Sequence, residues 1–385
     1  MQYDFDHVPD RHGTHSIKWD AFPADVLPLW VADTDFAVAP CIIEAIQKRL
    51  QHPIFGYTSD NEQLKTAVVN RMKKLYNWSI TGEDIILVPG IVSGFNFACR
   101  AFAKPGESVI FQTPVYPPFF GAPNNNHLET IENPLIYDNE KRKYLINFDH
   151  FDQAIKENTK LFILCNPHNP VGRVFTKEEL YTLGNICLKH HVTVCSDEIH
   201  SDFIYKGFHH TPIASINDDF AQNTLTFIAP SKTFNIAGLS CSIAIAQNPE
   251  IRKKFHTAID GLCPFVTCLS QEAACAAYTS GNDWLAQQIA YLESNRDFLD
   301  QFIKDEMPSV SNNIIEGTYL AWLDCSKTNI TGSPQKYFLE KAKVGLNDGK
   351  PFGESYEKFI RLNFGTNRST LKEALERMAS SLKTL

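Results

Sequence analysis

At 385 residues and 43% apolar content, the chain can bury one large core and a smaller companion. A formal net charge of −8, with no lysine/arginine block or basic helical stripe, argues against nucleic acid as a partner. The first residues are polar and acidic and no run of about 18 apolar residues occurs, so no leader and no membrane span are expected, and the expected compartment is the cytoplasm.

Read in chain order, strand-like and helix-like segments alternate, which predicts an α/β fold with a mainly parallel sheet. Pro40 suits a first helical turn, followed by a stripe of Ile42, Ile43, Ile46 and Leu50. Leu64, Val68, Met72 and Leu75 mark a second amphipathic helix. Short β-branched or aromatic runs then read as buried strands: "DIILV" (84–88), "SVIFQ" (108–112), "KLFILC" (160–165), "VTVCS" (192–196), "TLTFIA" (224–229), "CSIAIA" (241–246) and "TYLAWLD" (318–324). Thr176 with Glu179, and Thr370 with Glu373, have capping-box spacing ahead of helices. Residues 281–307 read as one long helix.

Ten cysteines are present, none in a CxxC pair and most in apolar surroundings. They read as buried free thiols in a reducing compartment. No paired Cys/His spacing suggests a metal site.

Polar stretches follow five of the strands: "PGIVSG", "TPVYPP", "NPHNPVG", "DEIH" and "PSKTF". In an open α/β sheet, ligands bind beyond the carboxyl ends of strands, so these stretches are expected to converge. Lys232 stands between two hydroxyl residues after a strand. Most lysines are surface residues, but a buried one can form a Schiff base. Asp197 is either a turn aspartate or a partner for a pyridinium nitrogen. Asn166 opens a tight turn, and its side chain is a candidate donor to a phenolate oxygen. Asn169-Pro170 reads as turn chemistry alone. The turn at 88–102 offers a helix N-terminus suited to phosphate. It is neither a Walker A loop nor the dinucleotide fingerprint, and "GLNDGK" (345–350) lacks the Walker spacing. A nicotinamide dehydrogenase is therefore disfavoured.

The ordered set "PGIVSG", "PVYPPF", "NPHNPVGR", "SDEIHSDF" and "SKTFNIAGL" resembles the fold-type I, pyridoxal-phosphate-dependent aminotransferase superfamily. With "LPLWVADTDFAVAP" and "FIRLNFGTNRS", the chain is similar to the MalY/PatB branch of cystathionine β-lyases. The resemblance implies a mainly parallel seven-stranded sheet flanked by helices, with a smaller α+β domain. The large domain is expected over 48–284, and the small one over 1–47 and 285–385. It implies pyridoxal 5'-phosphate as cofactor, and a small amino-acid thioether as substrate.

By the same resemblance, Lys232 would bond to the cofactor aldehyde and Asp197 would pair with the ring nitrogen. Asn166 would contact the ring oxygen, with His200 close by. Tyr116 would stack on the ring. Ile91, Val92 and Ser231 would hold the phosphate. Tyr57 would reach the phosphate of a neighbouring subunit, making a homodimer. Lys232, Tyr116 and Tyr57 form the implied catalytic set. Arg361 would clamp the substrate carboxylate, with Ala32 and Asn166 also contacting substrate. The implied reaction releases a thiol, pyruvate and ammonia. The alternatives are an aminotransferase and a non-enzymatic regulatory binding role. Ser240 stands where many aminotransferases carry a basic residue, and His200 where many carry tyrosine. Asn367 stands where proline is expected.

Overall fold

The central sheet of the computed structural model, which describes residues 2–385, has seven strands. They are β1 (Ile85–Val88), β2 (Ser108–Thr113), β3 (Glu129–Pro134), β4 (Thr159–Cys165), β5 (Thr193–Asp197), β6 (Thr224–Ile228) and β7 (Ser242–Ile245). Their spatial order is β1-β7-β6-β5-β4-β2-β3, and β7 runs antiparallel to both its neighbours. The other pairs are parallel. Cys165 pairs with Asp197, and Asp197 with Phe227. Three adjacent strands therefore finish level, which brings their following turns to one edge.

Alternation along these strands feeds two cores. Ile163, Cys165, Cys195, Leu225 and Phe227 pack with helix α1 (Ile91–Phe102) on one face. Phe162, Leu164 and Val194 pack with α2 (Lys177–Lys189) on the other. Burying each such side chain contributes roughly 1.5–3 kcal/mol. Gly94 lets α1 lie close on the sheet, because a Cβ there would stand 2.5 Å from the Phe227 ring.

A second sheet forms the core of a smaller domain. It orders β8 (Ser311–Asn312), β9 (Leu320–Asp324), β11 (Phe359–Asn363) and β10 (Asn347–Asp348), all antiparallel. The helix Asn282–Glu306 is continuous over 25 residues, as its pattern predicts. Among the described residues, no helix is long and apolar enough to cross a membrane.

The run "TYLAWLD" lies in the second sheet, as β9, outside the 48–284 span expected to hold the large sheet. Several sequence expectations change. The seventh strand of the large sheet is β3, an unforeseen edge strand whose polar, largely exposed residues carry no apolar signal. In the helix Pro40–Leu50, Ile42 is buried but Ile43 and Leu50 remain exposed. Leu75 is exposed as well, while Leu64, Val68 and Met72 are buried. The Thr176–Glu179 capping box forms. The Thr370–Glu373 box does not. There Asn367 is the cap, and its side chain accepts from Thr370 N at 3.1 Å. Asparagine at that position satisfies an orphan amide that proline could not serve.

Candidate active site

A cavity of about 230 Å³ opens at the level edge of β4, β5 and β6. Lys232, Asp197, His200, Tyr116 and Ser231 line it, together with Ala32 and the Ile91–Val92 start of α1. The topology thus brings together residues spread from 32 to 242.

Lys232 sits on a short helical turn, Pro230–Thr233, directly after β6. Its Nζ donates to the Ala32 carbonyl at 2.6 Å. Burial pushes its ammonium down to about 8, with Arg361 acting the same way and Asp33 and Asp197 opposing. Near neutral pH it is far readier to lose a proton than a surface lysine.

Asp197 ends β5. One carboxylate oxygen accepts from Ile199 N at 3.1 Å. Burial pushes this carboxyl up to about 7, against that backbone bond and the Lys232 charge. A buried carboxylate so poorly compensated calls for a cation. His200 is pushed down to about 3 by burial and by the charges of Lys232 and Arg361, so its ring is neutral. Its buried Nδ1 has no partner among the described residues.

The far wall of the cavity is the N-terminus of α1. The amides at the start of this 12-residue helix face outward past Gly90, and such ends attract anions. The hydroxyls of Ser231, Ser240 and Ser242 lie on the same cavity. No arginine lines it, and Lys232 is the one ammonium among the described lining residues.

Arg361, on β11, stands just behind the lining and is buried. Its Nη1 donates to Asn169 Oδ1 at 3.0 Å. Its Nη2 donates to Asn347 Oδ1 at 2.6 Å and to the Trp30 carbonyl at 3.0 Å. Asn347 is its cross-strand neighbour on β10, so register itself supplies that contact. The Nε of Arg361 is buried without a partner. Burial pushes the guanidinium down to about 10. An anion arriving there would relieve that penalty.

The strip Trp30–Thr34 forms no regular ladder, yet side chains occupy its carbonyls. Asn363 Nδ2 donates to Val31 O at 2.6 Å and Asp33 O at 2.7 Å. Asn235 Nδ2 donates to Thr34 O at 2.9 Å and Phe36 O at 2.9 Å. Behind the strip, buried Lys18 pairs with Asp35 at 2.9 Å, and Arg11 bridges Asp33 and Asp35. Irregular backbone satisfied in this way is a fixed wall.

Two expected residues are placed elsewhere. Asn166 is buried but is not part of the cavity lining. Its Oδ1 accepts from Phe175 N at 3.0 Å and its Nδ2 faces His210 Nδ1 at 3.4 Å. Its side chain is therefore spent closing the turn, and Asn169 takes the cavity wall instead. The expectation that Asn169 serves only turn geometry is corrected by its bond to Arg361. Tyr57 is fully exposed and lines a separate surface hollow with Phe55 and Phe265. Within one chain it does not reach the cavity.

The aminotransferase class I and II model matches residues 24–378. The chain belongs to the class I and II aminotransferase family. Within that family it is 40% identical to cystathionine beta-lyase PatB of Bacillus subtilis (strain 168), over 98% of this chain and 99% of that protein. It is 32% identical to protein MalY of Escherichia coli (strain K12), covering 100% of both chains. The crystal structure of cystalysin from Treponema denticola, which contains a pyridoxal 5'-phosphate cofactor, matches with a TM-score of 0.95 at 36% identity, again over 100% of both chains. A class I and II aminotransferase fold is what the level strand ends and the helix N-terminus describe.

Sequence reading missed Asn169, Asn347, Tyr319 and Asp202. Tyr319 Oη donates to the Ala32 carbonyl at 3.0 Å. Asp202 accepts from Thr233 Oγ1 at 2.8 Å and pairs with Arg71, anchoring the turn that carries Lys232. The signal for Asp202 was present: "SDEIHSDF" holds three acids, and only one was given a role.

Proposed function

We propose that this chain is a pyridoxal 5'-phosphate-dependent carbon–sulfur β-lyase, cleaving L-cystathionine or a related cysteine S-conjugate to a thiol, pyruvate and ammonia. The observation that carries the reading is one cavity lined by both Lys232 and the buried Asp197 carboxyl, which follow or end adjacent strands. The likeness to PatB supports the lyase reading over other chemistries of the family.

The residues fit the cofactor on chemical grounds. The Lys232 amine matches its aldehyde, Asp197 a protonated ring nitrogen, and the α1 N-terminus with Ser231 a phosphate. His200 offers an unpartnered buried nitrogen beside them. When bound, the cofactor draws electrons from the substrate Cα, which permits loss of the proton and then of a β-thiolate.

The placement of these residues supports the following roles for the protein itself. Lys232 takes the Cα proton and can return a proton to the departing sulfur. Asp197 would hold a proton on the ring nitrogen, and Tyr116, also in the lining, would pack against the ring. Arg361 holds the substrate carboxylate in two-point fashion, with Ala32 beside it. We assign the donor to the ring oxygen to Asn169 rather than Asn166, because Asn169 lines the cavity.

We further propose a homodimer, in which Tyr57 from a second copy completes the phosphate site. The exposed Tyr57, Phe55 and Phe265 support this, since such patches mark contact surfaces. We propose domain limits of 48–284 for the cofactor-binding part, and 1–47 with 285–385 for the small domain. Ten free cysteines support a cytoplasmic location.

The test is pyruvate and thiol release from a panel of cysteine S-conjugates, with and without a 2-oxo acid. Release without acceptor supports the lyase. Strict dependence on the acceptor would replace it with an aminotransferase.

A further inference from the structure

The Ala32 carbonyl accepts two side-chain donors at once. Lys232 Nζ lies 2.6 Å away and Tyr319 Oη 3.0 Å away. Tyr319 is fully buried, with its ring edge-on to Phe203 at 4.9 Å and to His200 at 5.9 Å. Packing therefore fixes the direction of its hydroxyl. Ala32 cannot retreat, since the carbonyls on both sides of it are held by Asn363.

We infer that Tyr319 is a positioning residue that sets where the Lys232 amine rests whenever that amine is not bonded to the cofactor. The Ala32 oxygen is the resting post, and Tyr319 occupies part of its accepting capacity. Two donors on one oxygen weaken each other, so the amine is steered without being trapped as a tightly bound ammonium. A post occupied by lysine alone would favour the charged form and slow each proton transfer. The burial that already pushes this lysine down to about 8 works in the same direction as Tyr319. The inference rests on the reading of Lys232 given above.

The experiment mixes apoprotein with pyridoxal 5'-phosphate and follows the rate of cofactor capture by absorbance between pH 6 and 10. Capture needs the neutral amine, so the rate should rise with pH. Wild type should capture cofactor, and borohydride should fix it on Lys232. Failure at this stage sinks the functional reading itself. Given wild-type capture, Tyr319→Phe should move the midpoint up by roughly half a pH unit, the scale of one hydrogen bond. It should also lower kcat with KM little changed, because the Arg361 clamp is untouched. An unchanged or lowered midpoint in Tyr319→Phe overturns the inference. So does a crystal structure of wild-type apoprotein with Lys232 Nζ beyond about 3.5 Å of Ala32 O, which needs no variant.

Discussion

Asn169 Oδ1 accepts from Arg361 Nη1 at 3.0 Å, so a turn of the large sheet fixes an arginine of the small one. The proposed substrate clamp is thus shared between two sheets, and its aim depends on neutral amides. Removing one such bond to a charged group costs roughly 1.5–3 kcal/mol. Asn347→Ala should raise KM for cysteine conjugates about tenfold or more while kcat changes little. Asn169→Ala should lower kcat too, because Asn169 also faces the cavity. Steady-state kinetics on both variants decide the point.

Lys232→Ala should fold normally and lose pyruvate release by at least ~10²–10⁴-fold, the usual contribution of a positioned base. Circular dichroism checks the fold, and a coupled pyruvate assay checks the loss. Residual lyase activity near the wild-type level would remove the lysine from the mechanism.

The carboxyl of Asp197 is pushed up to about 7 in the cofactor-free protein, against about 4 in an unfolded chain. Its folded form therefore holds the proton more tightly. Apoprotein stability from this group is full below about pH 4 and is lost as pH rises to about 7. At about 1.4 kcal/mol per pH unit over about three units, the loss is on the order of a few kcal/mol. Asp197→Asn should remove that slope, and bound cofactor should flatten it as well. Thermal unfolding of apoprotein, variant and holoprotein across this range provides the comparison.

Asn367 caps the helix Arg368–Leu382, so Asn367→Ala should cost about 1 kcal/mol in urea unfolding. Glu373 makes no return bond to the cap and pairs only with Arg377 at the surface. Glu373→Ala should cost only a few tenths of a kcal/mol. A larger loss from the glutamate would restore the capping box.

Tyr57→Ala should leave the isolated fold intact, since the side chain is fully exposed. In the proposed dimer it should speed cofactor release on dilution. Equal release rates for variant and wild type, measured by absorbance after gel filtration, would deny Tyr57 a place in a shared site.

Much of this site was legible in the sequence, because α/β strands announce their ends. Strands stop at Val88, Cys165, Asp197 and Ile228, and turn or polar residues follow within a few positions. That boundary made Lys232 and Asp197 candidates, and the ordered set of motifs, not the boundary, gave them roles. Which asparagine of "NPHNPVG" lines the cavity could not be read in this way, because the answer depends on how the turn folds back on Phe175. Asn347 was unreadable for another reason: it matters only through its register with Arg361. The edge strand Glu129–Pro134 was missed because its pairing is carried by backbone on one side, with no apolar pattern to betray it.

The bond from Arg361 Nη2 to the Trp30 carbonyl spans 331 residues of chain. During synthesis, the first and last portions of the polypeptide emerge far apart in time. A ribosome-held chain ending before β11 would carry Lys232 and Asp197 but not Arg361. On the proposed roles, the carboxylate clamp is therefore completed only after the rest of the cavity has been made.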